Sequence, residues 1–394
     1  MVLGLSVKDV KAQWPRQLQN LTIPGSVKEL KLQQLSELTN LSLGGFERLQ
    51  LPRSLRHLTL SSGSAVPWLP PLISLKLGPG FDLDQVILPM SLQTLSVEDK
   101  LSCEKLKHLV RLEDLSLDSL VGWEPLPANL RSLRVAAGLE FRRFLPPELA
   151  RLTLLAPSKK AGYMEKMGTL ALELLDESSW PPNLQELTLP PSFNEPLELP
   201  KSLRRLTLGD DFNQTLRLPE SLEYLAYGRS FNRSLPALGC LRELILGEQF
   251  NQALKLEAEN LRALTLGHHF NHPLELPHTL ETLKLGHRFN QSLQDVEWPA
   301  RLRQLTLGFA FNHDLQELPA QLQSLTLGHS FNSALQLPSN LLSLSFGHQY
   351  NRICRLPSQL RRLSFGYEFN QPPQELELPQ GLEELSFGMG FNRR

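Results

Sequence analysis

The sequence predicts a parallel β solenoid: a mainly β chain of about twenty short stacked coils, with a continuous parallel sheet and little helix. Three observations carry this expectation. First, Phe-Asn, once Tyr-Asn, recurs at Phe193-Asn194, Phe212-Asn213, Phe231-Asn232, Phe250-Asn251, Phe270-Asn271, Phe289-Asn290, Phe311-Asn312, Phe331-Asn332, Tyr350-Asn351, Phe369-Asn370 and Phe391-Asn392, spaced 19 to 22 residues apart. Second, each follows an apolar-x-x-apolar-x-apolar triplet whose last three residues alternate with the period of two that a strand requires. Third, such triplets run upstream, led by Leu18, Leu38, Leu55, Leu72, Leu92, Leu112, Leu130, Leu149, Met167 and Leu184. A fixed period of this length makes each repeat one coil, which cannot bury its apolar residues until neighbours cover it.

Pro200 to Pro219 shows the parts in order. Leu203, Leu206 and Leu208 supply the inward side of a short strand. Gly209 suits the tight backbone of the corner that follows. Phe212 is expected to insert its ring into the turn, and Leu216 and Leu218 alternate again on a short extended return. Pro219 then removes a donor and sets the next corner. Residues 1–155 read as degenerate coils, 156–182 as an irregular connection or degraded coil, and 183–394 as regular coils of one continuous solenoid. Within 156–182, Met167, Leu170 and Leu172 keep the register. An extra triplet at Val27, Leu30 and Leu32 has no clear place in the period.

Composition narrows the function. The chain has 394 residues and a formal net charge of −1, with both signs interspersed. It therefore offers no basic field for nucleic acid and no polybasic tract for an anionic membrane. Lys8, Asp9 and Lys11 interrupt the N-terminus before a signal-peptide core is reached. Cys103, Cys240 and Cys354 are few, far apart and odd in number, which fits reduced thiols and a cytoplasmic protein. Asn-x-Ser/Thr matches at Asn20, Asn40, Asn213, Asn232 and Asn290 would be glycosylation acceptors only after secretion, and the repeat itself generates such matches.

The run L-P-x-S-L-x-x-L-x-L-G-x-x-F-N-x-x-L resembles the FNIP repeat, a relative of the leucine-rich repeat found in slime moulds, other protists and giant viruses. Leu276 to Leu293, LPHTLETLKLGHRFNQSL, is similar to it almost throughout. The resemblance is strong from Trp180 to Arg394 and weaker before it, where Asp82 stands in place of Asn. It implies a leucine-rich-repeat-like solenoid that binds other proteins. Similar proteins often join the repeats to an F-box or a kinase-like domain.

The repeated Asn is expected to form a ladder that satisfies buried backbone groups at a corner. It stands five residues after the last strand Leu, where ordinary leucine-rich repeats place it at three. His268, His287, His329 and His348 each follow the strand Gly, which predicts an exposed column interrupted by Phe309. Adjacent imidazoles could share a divalent metal, but only two contiguous pairs arise, and neither carboxylate nor Cys recurs beside them, so no metal is expected. A Ser or Thr usually sits between the last two strand apolar residues, as at Thr207, Thr265, Thr306, Thr326 and Ser345. A hydroxyl lattice for ice is disfavoured because the next column holds Arg205, Tyr224, Glu243, Arg362 and Glu384. Phosphate-loop, nucleophile-elbow, zinc-protease and kinase motifs are not found, and no cofactor is expected.

These readings converge on a non-catalytic scaffold that binds a protein partner along its exposed strand face. Candidate contact residues are Arg205, Tyr224, Glu243, Arg362 and Glu384. The residue before the second strand Leu changes freely there, whereas the inward positions are held by packing. The substrate-recognition part of a ubiquitin-ligase receptor is the alternative, with ice binding or an enzyme built around 156–182 more remote. Leu382, Leu385, Phe387 and Phe391 at the C-terminus lack a capping segment, which predicts open apolar surface and end-to-end self-association.

Overall fold

The computed structural model describes residues 14–63, 68–81, 83, 86–121, 124–136, 145–156, 180–256 and 258–392. Two compact units divide the chain, Met1–Pro190 and Pro191–Arg394. The first holds β1 (Asn20–Lys31), β2 (Asn40–Gln50), β3 (His57–Leu60), β4 (Ser74–Leu77), β5 (Thr94–Ser102), β6 (Asp114–Val121), β7 (Ser132–Ala136), β8 (Arg151–Leu155) and β9 (Glu186–Thr188). The second holds β10 (Arg205–Thr207), β11 (Tyr224–Ala226), β12 (Glu243–Ile245), β13 (Ala263–Thr265), β14 (Thr282–Lys284), β15 (Gln304–Thr306), β16 (Ser324–Thr326), β17 (Ser343–Ser345), β18 (Arg362–Ser364) and β19 (Glu384–Ser386). Within each unit every strand pairs in parallel with the next one in sequence, the mark of a solenoid.

Nineteen of the twenty expected triplets thus carry a strand. The twentieth, led by Met167, lies outside the described residues. Arg151 of β8 pairs directly with Glu186 of β9. The extra triplet in the first unit also finds its place. β1 bends between Ile23 and Ser26, and its second arm pairs with Gly45–Gln50 of β2, burying Val27, Leu30 and Leu32. It is the return side of the first described coil, paired as a strand instead of left extended. β5 and β6 repeat this arrangement, with a register shift between Val97 and Lys100.

Most regular coils close through two turns written in the sequence. In Pro-x-x-Leu, the leading Leu donates its N–H to the Pro carbonyl, as Leu222 does to Pro219 at 3.0 Å and Leu302 to Pro299 at 3.0 Å. In Gly-x-x-Phe, the aromatic residue donates to the Gly carbonyl, as Phe250 does to Gly247 at 3.3 Å and Phe289 to Gly286 at 3.3 Å. Glycine is required here by close approach. A Cβ on Gly286 would fall onto the carbonyl oxygen of Gly267 in the preceding coil. The core lies between the strands and the extended returns. Phe212, Phe231, Phe270, Phe289, Phe311, Phe331 and Phe369 are fully buried, and successive rings stack about one coil apart, Phe270 with Phe289 at 6.2 Å. On β19, the last described strand, Leu385 is 40 % exposed, whereas its counterpart Leu363 is buried.

Candidate interaction surface

The short strands of the second unit turn alternate side chains outward in fixed register. The five candidate residues fall into two groups. Arg205, Tyr224 and Glu243 occupy paired positions on β10, β11 and β12, while Arg362 faces Glu384 across β18 and β19. Between the groups stand Ala263, Thr282, Gln304, Ser324 and Ser343. The Arg205 guanidinium carbon lies 3.9 Å from the centroid of the Tyr224 ring, a cation–π contact that holds both side chains in one arrangement. Beside them the usual hydroxyl column gives way to Ala226, which is buried, and to the half-buried Ile245, which forms with Tyr224 and Ala263 a small apolar patch on a polar sheet face.

A charged column one residue earlier was not singled out from sequence. Glu223 is approached by Arg204 at 3.4 Å and by Arg242 at 3.5 Å. Further along, Arg262 lies 3.8 Å from Glu281, and Arg361 lies 2.9 Å from Glu383. The alternation of Arg and Glu at the repeat spacing was the available signal. These pairs are too exposed to add much stability, but they fix the edge of the face electrostatically.

The Asn ladder is present, though at a solvent-exposed corner and not among buried groups. The side-chain oxygen of Asn194 accepts the backbone N–H of Asn213 at 2.8 Å, Asn213 that of Asn232 at 3.1 Å, and Asn232 that of Asn251 at 2.9 Å, continuing to Asn392. The neighbouring Gln often joins, as Gln291 Nε2 does to Asn271 Oδ1 at 3.2 Å. At the opposite corner the Ser of L-P-x-S-L was also missed. Ser221 Oγ donates to the carbonyl of Leu203 at 2.7 Å, tying one coil's turn to the previous coil's strand entry.

Phe309 does not interrupt the histidine column. Its ring is flat enough to stack between His287 and His329. Because the imidazoles lie face to face, their lone pairs point out in parallel planes and do not converge on one ion. Among the described residues no group of three or more His, Cys, Asp or Glu is placed to hold a metal. Burial pushes the Cys103 and Cys354 thiols up, which leaves both poor nucleophiles. No helix of the described residues is long and apolar enough to cross a membrane.

This architecture defines a leucine-rich-repeat-like parallel solenoid. The FNIP Repeat family matches residues 193–230, 250–288, 311–349 and 349–390, so these segments of the second unit are FNIP repeats. Among solved structures it is similar to the giant-virus protein CroV588, described as a novel circular LRR protein, at 27% identity and a TM-score of 0.70, covering 98% of this chain and 71% of that one. It also shares the fold of YopM from Yersinia enterocolitica WA-314, at 21% identity and a TM-score of 0.50, covering 94% and 92%. No curated protein is a significant match.

Proposed function

We propose that the chain is a non-catalytic scaffold that captures a partner protein on the strand face of its second unit. Arg205, Tyr224 and Glu243 form the main contact patch, and Arg362 with Glu384 forms a second. The carrying observation is the cation–π pair Arg205–Tyr224 beside the half-buried apolar residues Ile245 and Ala263. Tyr and Arg are frequent interface anchors, and a pair already held in place loses little freedom on binding. The likeness to leucine-rich solenoids, a scaffold typical of binding proteins, supports this reading. Cysteines that are few, far apart and odd in number support a cytoplasmic setting.

A partner recovered by affinity capture and identified by mass spectrometry should lose at least about tenfold in affinity for Tyr224→Ala/Arg205→Glu, equivalent to about 1.4 kcal/mol. Thermal stability should be nearly unchanged, since both side chains lie on the outer face. Undiminished affinity would move the interface elsewhere on the chain.

A further inference from the structure

At the corner after each strand, the residue following glycine forms a second column apart from the strand face. His268 and His287 stack with ring centroids 4.3 Å apart, His287 and Phe309 at 4.3 Å, Phe309 and His329 at 4.1 Å, His329 and His348 at 4.5 Å, and His348 and Tyr367 at 5.0 Å. Every pair is parallel to within 20°. Six successive coils thus meet through one unbroken stack in which four rings can take a proton. We propose that this column is a proton-sensitive clasp: neutral, it holds the corners of these coils together; protonated, it loosens them.

A neutral imidazole packs face to face much as the Phe309 ring does. Two imidazolium rings in the same geometry repel, and rings stacked this closely leave no room for water or a counter-ion between their faces. The surrounding charges decide where the clasp gives way. His268 is faced by His287, His269 and Arg288, and by the carboxylate of Glu248, which Arg229 already engages at 3.2 Å. His268 Nδ1 is buried without a hydrogen-bond partner, so a proton there gains nothing. At the other end, Glu368 lies 3.6 Å from His348 and offsets a charge on that ring. Phe309 separates the two histidine pairs. A proton therefore costs most at the His268–His287 pair, and the loss of stability on protonation is concentrated there.

Desolvation, followed by His287, His269 and Arg288, holds the His268 pKa below the ordinary 6.5. With a depressed folded-state value the folded chain binds fewer protons than the unfolded one. The contribution of the clasp is complete above about pH 6.5 and is lost as pH falls below it.

Phe309 shows that a phenyl ring fits the column, so His268→Phe/His287→Phe keeps the stack while removing two titrating groups. Melting temperatures of both proteins are compared at about pH 7.5 and about pH 5. Each protein is its own reference, so a different starting stability cancels, and the other titrating groups are common to both. The wild type should lose at least about 3 °C more than the variant on acidification. Equal losses would overturn the proposal. NMR titration of the wild-type imidazole C–H signals tests it without any variant: His268 should titrate below the ordinary range and His287 should sense that step. A His268 titration at the ordinary value, with no response at His287, would also overturn it.

Discussion

The side-chain oxygen of Asn271 accepts the backbone N–H of Asn290, one coil later, at 2.9 Å. The same oxygen takes a second bond from Gln291 Nε2 at 3.2 Å. One amide thus joins two consecutive coils through a group that every coil must satisfy. Solvent reaches this corner and can replace a lost acceptor. Asn271→Ala should therefore cost only about 0.5–1.5 kcal/mol. Asn271→Asp, which keeps the acceptor, should cost less. Chemical denaturation of the three proteins checks the order, and equal stability of Asn271→Ala and wild type would remove the ladder from the account of what holds the coils together.

Phe270, one residue earlier, has a different role. Its ring is fully buried, stacked on Phe250 and Phe289 at 6.2 Å on either side. Water cannot fill the space it occupies without meeting an apolar lining. Phe270→Ala should cost about 3–5 kcal/mol, several times the cost of Asn271→Ala. Because each coil is stable only through its neighbours, hydrogen exchange should rise in the coils on both sides, not in one alone. A midpoint like that of wild type would contradict the burial.

Two glycines should respond in opposite ways to the same methyl group. A Cβ on Gly286 meets the backbone carbonyl of Gly267, which cannot rotate away, whereas one on Gly381 has open space around it. Gly286→Ala should destabilise by about 1–3 kcal/mol through forced separation of the coils. Gly381→Ala should be neutral or stabilise by up to about 1 kcal/mol, because it restricts only the unfolded chain. Paired thermal melts decide this, and similar effects at the two positions would rule out close approach as the reason for the repeated glycine.

Repeat period, inward Leu positions and the buried Phe were legible in the sequence because each is an identical residue type at a fixed spacing. What escaped notice has mixed residue types in one spatial column. Ring shape, not metal-binding chemistry, unites His287, Phe309 and Tyr367, so a search for ligands saw a gap where the structure has a stack. Likewise, Val27, Leu30 and Leu32 looked surplus because a return segment and a strand face share the same alternation, and only pairing with β2 tells them apart. The Arg205–Tyr224 contact depends on which rungs are neighbours, which the period supplied, and on rotamers, which it did not.

Tyr227 occupies a strand position filled by Leu in most coils and by Phe346, Phe365 and Phe387 in three others. Its ring stacks on Phe231 of the same coil at 3.7 Å, as Phe346 does on Tyr350 at 3.9 Å and Phe365 on Phe369 at 3.8 Å. Its hydroxyl, however, is buried with no hydrogen-bond partner, and burial pushes the phenol pKa up, so it stays protonated. A buried donor left unsatisfied costs about 1–3 kcal/mol, whereas the ring contacts survive removal of the oxygen. Tyr227→Phe should therefore leave the stack intact and raise stability, by up to about 1 kcal/mol once the small void left by the oxygen is counted. Most substitutions in a packed core do the reverse, which makes the sign a sharp test. A loss of stability on denaturant titration would show that the hydroxyl is satisfied in solution.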